Sequence, residues 1–179
     1  IQQILQMKNV PLDDAYRELF LARSAMELGE PTRADLHLRR ARVAAGPSVE
    51  QMGFIANYAE KVGKLDDAES AYRSLAGNSN TARPAYEALL RIAQKRRDMD
   101  ELRDVLGEMT KRWPKDAAVA NDYAYFCLLQ GRDLQESLAT ARQLVTQSPA
   151  SMAHRTTLAL AGVRLKNGDR KSTRLNSSH

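Results

Sequence analysis

Small and apolar residues return along this chain at an interval of 34. Leu21, Ile55, Leu89 and Tyr123 form one series; Ala22, Ala56, Leu90 and Ala124 form a second; Ala25, Ala59, Ala93 and Cys127 form a third. Steps of three and four residues, as from Leu21 and Ala22 to Ala25, place these side chains on one face of a helix. Further along, Ala34, Ala68, Leu102 and Ser137 open a second apolar face, continued by Leu38, Tyr72, Leu106 and Ala141. Each period therefore predicts a first helix (A), a turn and a second helix (B). The alanines set where A and B would cross allow a close approach of the two backbones.

Turn signals fall where this pattern needs them. Gly29 and Gly63 separate A from B in the first two copies, and Gly131 does so in the fourth, with one extra residue after it. The third copy has Arg97-Asp98-Met99-Asp100-Glu101 at the same place. Pro47-Ser48, Gly77-Asn78-Ser79, Trp113-Pro114-Lys115-Asp116 and Ser148-Pro149 divide one helix pair from the next. Asp13 or Asp14, Ser48 and Asp116 are suited to cap the A helices that follow them.

A 34-residue helix-turn-helix period with this pattern of small residues, closed by Pro114 and Pro149 in the last two copies, resembles the tetratricopeptide repeat (TPR). On that resemblance the full repeats are 15–48, 49–82, 83–116 and 117–151, with 1–12 as the end of a preceding repeat and 152–168 as the first helix of a further one. The expected fold is all-α, a continuous right-handed α-solenoid and the interior of a longer array. Two residues depart from the family pattern: Arg97 replaces the usual turn glycine, and Glu18 stands at an apolar helix-A position. The last eleven residues, Asp169 to His179, resemble the translation of a sequencing adapter and are read as a non-native tail.

Composition narrows the functions. The chain of 179 residues holds one Cys and 43% hydrophobic residues, which leaves no room for a disulfide framework or a multi-Cys zinc site. No apolar run approaches the roughly 20 residues of a membrane span. The formal charge is +5, and +3 without the three basic and one acidic residues of 169–179. That excess is too small to mark a nucleic-acid footprint. The basic clusters Arg39-Arg40-Arg42, Lys95-Arg96-Arg97 and Lys111-Arg112 read as solvated cations near helix C-termini, without interleaved aromatics for base stacking.

Catalytic constellations are missing from the pattern. His37, His154 and His179 have no metal-ligand spacing, so neither a metal nor another cofactor is expected. Cys127 reads as a packed thiol, and Asp66, Asp67 and Glu136 as acids suited to a helix N-terminus. Trp113 is expected to pack over the turn at Pro114.

The resemblance implies a concave groove lined by helix A. Its members here are Tyr16, Leu19 and Arg23, then Asn57, then Arg91, then Asn121 and Tyr125. Arg, Asn and Tyr suit peptide contacts, as forked donors, a two-way amide and a rigid amphipathic ring. These side chains are expected to point away from the helix-pair core, so that Arg91 is replaceable without cost to folding. The carboxylate clamp of chaperone-binding relatives is not matched, since Leu19, Arg23, Phe54, Pro84 and Ala88 stand at its positions. The expected function is a non-catalytic scaffold for a protein or peptide. The alternatives are an accessory region of a larger transferase, kinase or protease, and a helical-repeat RNA binder. The sequence leaves compartment and oligomeric state open.

Overall fold

The computed structural model describes residues 13–176, with side chains through 166. The expectation for 1–12 lies outside these residues. Nine helices run along the described chain, and no strand occurs among those residues. They are α1 (Asp14–Glu27), α2 (Pro31–Ala45), α3 (Val49–Lys61), α4 (Leu65–Ala76), α5 (Ala82–Arg96), α6 (Met99–Arg112), α7 (Ala117–Gln130), α8 (Leu134–Gln147) and α9 (Met152–Asn176). The backbone of α9 continues as helix through 169–176.

The helix boundaries follow local chemistry. Asp13 accepts from the Ala15 amide to start α1, Ser48 from Gln51 to start α3, and Asp116 from Ala118 and Val119 to start α7. Such caps satisfy amides that lack an intrahelical partner. Asp98, not foreseen as a cap, accepts from Glu101 at the head of α6. Pro31 opens α2, where its missing N–H costs nothing. Each A-to-B turn then reverses through a left-handed residue: Gly29 at φ +73°, Gly63 at +77°, Arg97 at +57° and Gly131 at +70°. The amides of Glu30, Lys64 and Arg132 donate back to the carbonyls of Ala25, Ala59 and Cys127, closing three of these turns in the same way. Arg97 thus adopts the glycine conformation without being glycine. In the fourth turn the extra residue places Asp133 at φ +47° as well.

The described chain divides into two compact units between residues 96 and 97, inside the segment 83–116 expected to be one repeat. In the first unit α1 packs on α2, α2 on α3, α3 on α4 and α4 on α5, with further contacts of α1 to α3 and α2 to α4. In the second, α6 packs on α7, α7 on α8 and α8 on α9, and α9 also reaches α7. Packing in each unit therefore runs between helices adjacent or next-adjacent in sequence, a repeat-like stacking.

The recurrent small residues form the cores. Ala22, Ala34, Ala41, Ala56, Ala59, Ala68 and Ala71 are wholly buried in the first unit, with Leu38, Ile55, Leu89 and Ile92 filling the space between helices. Val105, Met109, Cys127, Leu128, Ala141 and Ala161 do so in the second. Gly107 in α6 permits one close approach, since a Cβ there would sit 3.1 Å from the Tyr123 ring. Glu18, anomalous in sequence, is explained by its partner: its Oε2 lies 2.7 Å from Nδ1 of the buried His37, joining α1 to α2.

Candidate partner-binding surface

In the first unit the helix-A residues Tyr16, Leu19, Phe20 and Arg23 lie along one stripe of α1, at spacings of three and four. Phe54, Asn57 and Glu60 occupy the corresponding stripe of α3, and Arg91 and Lys95 that of α5. Contacts between helices show that the stripes adjoin. The Tyr16 and Phe54 rings meet edge-on at 5.8 Å, and the Tyr16 hydroxyl donates to Glu50 Oε1 at 3.4 Å across one 34-residue step. Phe20 and Phe54, also 34 apart, remain 41% and 53% exposed. Two half-open phenylalanines in register on one face are the surface feature that the sequence reading passed over. Their shared spacing was the available signal.

Toward α5 the face becomes charged. Glu60 is sunk to 12% side-chain exposure and receives Arg91 at 3.1 Å and Lys95 at 2.8 Å, while the two cations stay 52% and 50% exposed. From below, the Tyr72 hydroxyl of α4 donates to Glu60 Oε2 at 2.9 Å, and it also lies 3.0 Å from Asn57 Oδ1. Burial alone would raise the Glu60 pKa. The hydrogen bonds from Arg91, Lys95 and Tyr72 outweigh it and hold the carboxyl down at about 2. Tyr72 moves the opposite way, pushed up to about 12 by burial and by the adjacent carboxylate.

These contacts correct the expectation for Arg91. Its half-exposed guanidinium ties α5 to α3 through Glu60, so Arg91 carries a structural contact beside any to a ligand. Arg23 also has an internal partner, Glu27 at 3.0 Å, and Asn57 faces Tyr72. Lys95 and Arg96 are not merely solvated cations: Lys95 holds Glu60, and Arg96 pairs with Asp66 and Glu69 of α4. Beside Arg23 a shallow depression of about 370 Å³ is lined by Met26, Glu27, Tyr58, Lys61 and Val62.

Asn121 and Tyr125 belong to the second unit. Asn121 is only 6% exposed, which corrects its assignment to an open surface. Its amide Nδ2 donates to Asp122 at 3.3 Å, and no described group bonds its Oδ1. Tyr125 is half-buried, its ring edge-on to Phe126 at 5.9 Å. Cys127 is fully buried and burial pushes its thiol pKa up, so it is a packed side chain in an unreactive form. Among the described residues no three His, Cys, Asp or Glu side chains converge as a metal site, and no helix is long and apolar enough to cross a membrane.

The chain matches no protein-family model and no curated protein.

Proposed function

We propose that this chain is a TPR-like α-solenoid module and a non-catalytic scaffold that holds a protein or peptide segment on the helix-A face of its first unit. The observation that carries the reading is the in-register aromatic patch of Tyr16, Phe20 and Phe54, left open to solvent on a face whose remaining polar groups are largely paired with one another. Folding alone gives no gain from holding two phenylalanines half in water, whereas a ligand that covers them removes apolar surface at about 25 cal/mol per Å². Phe and Tyr are both enriched at protein interfaces relative to the rest of the surface. The 34-residue recurrence of left-handed turns and buried alanines supports the TPR part of the reading.

The test is to pan a random linear peptide library, displayed on phage, against the wild-type chain and against Phe20→Ser/Phe54→Ser. Wild type should enrich a family of related peptides that the variant fails to retain, with both proteins showing the same helical melt. Equal retention by the variant, or no enrichment on wild type, would remove the face from consideration.

A further inference from the structure

We infer that the ligand of this face is an acidic–apolar peptide segment, one that seats a large apolar side chain on Tyr16, Phe20 and Phe54 and a carboxylate on Arg91 and Lys95. The inference rests on the binding function proposed above and specifies its chemistry. Glu60 lies beneath and the two cations above, so the group of three presents a net single positive charge outward. Arginine carries five N–H donors and lysine three. Arg91 directs Nε and Nη2 at Glu60, and Lys95 makes one bond to it, so both retain donors for a second anion. Held by a common carboxylate, the two side chains have already lost much of the rotamer freedom that binding would otherwise remove.

The spacing along α3 sets the least distance from the apolar anchor to the acid. Phe54 and Glu60 are six residues apart in one helix, about 9 Å at 1.5 Å per residue. An extended ligand covers that distance in about three residues. The cations reach Glu60 from the neighbouring α5, so the acidic residue should fall three or more positions from the apolar anchor, the chain between them passing Asn57, whose amide can bond a ligand backbone.

The probe is the same phage-displayed library, panned on wild type and on Arg91→Gln/Lys95→Gln. Wild type should enrich peptides with Phe, Leu or Trp and an Asp or Glu three or more positions away. The charge variant should keep the apolar preference and lose the acidic one. A synthetic peptide of the enriched sequence should bind it about tenfold more weakly, the loss expected of one charge-assisted contact. Should the double variant melt early, Lys95→Gln alone, at a half-exposed side chain, should lose part of the same preference. Apolar enrichment without acidic residues on wild type overturns this inference and leaves the binding function standing. So does an acidic preference undiminished in Lys95→Gln and the double variant. No enrichment on wild type overturns both.

Discussion

Glu60 shows how a single carboxylate can tie three helices together. It sits on α3, takes donors from α4 and α5, and remains ionised down to about pH 2. Its folded pKa lies below the ordinary 4.5. The stability it contributes is therefore complete above pH 4.5 and is lost as the pH falls toward 2. Urea melts across that window should show wild type losing stability faster than Glu60→Gln, whose amide cannot titrate. Parallel slopes would show that Glu60 is not held low. Arg97 poses the opposite kind of residue problem, a side chain in left-handed backbone. The strain of that conformation in an L-residue with a Cβ is about 1 kcal/mol, so Arg97→Gly should raise the thermal midpoint. The reverse exchange, Gly63→Ala, should lower it by a comparable amount; a higher midpoint for Gly63→Ala would show the turn to be unstrained.

At the scale of elements, the α3–α4 hairpin depends on two alanines, Ala56 and Ala68, neither with measurable exposure. Ala68→Leu would force extra methylenes between close-packed helices and should cost about 1–3 kcal/mol, measurable by denaturant unfolding. This close packing was legible in the sequence because alanines recur at 34 where the helices of the first two pairs cross, and glycines recur at 34 in their turns. The caps at Asp13, Ser48 and Asp116 were legible for a similar reason, each depending on a few neighbouring residues. The Glu60 cluster was not. Its members come from three helices, and a Glu, an Arg and a Lys on exposed-looking positions read the same whether they pair or face water. Asn121 escaped for another reason: α7 carries small or apolar residues on almost every side, so helical periodicity could not tell its open face from its buried one. The Glu18–His37 pair left a trace, an acid at an apolar position, but its partner lay on another helix 19 residues away.

For the molecule as a whole, neighbour-to-neighbour stacking sets how damage spreads. In such an array each element draws stability from the adjoining ones. Hydrogen exchange on Ala68→Leu should show protection falling most in α3 and α4, then in the helices packed on them, α1, α2 and α5. Uniform loosening across the first unit would instead indicate one cooperative globular core.

The same stacking bears on mechanical load. Among the described helices of the first unit, none is held by substantial packing to one more than two places along the chain, so tension applied to the ends of 13–96 meets contacts one hairpin at a time. A released period of 34 residues lengthens the tether by about 110–120 Å at full extension. Pulled in an optical trap, the unit should give way at low force in discrete steps whose contour-length gain approaches that value, behaving as a spring with discrete stops.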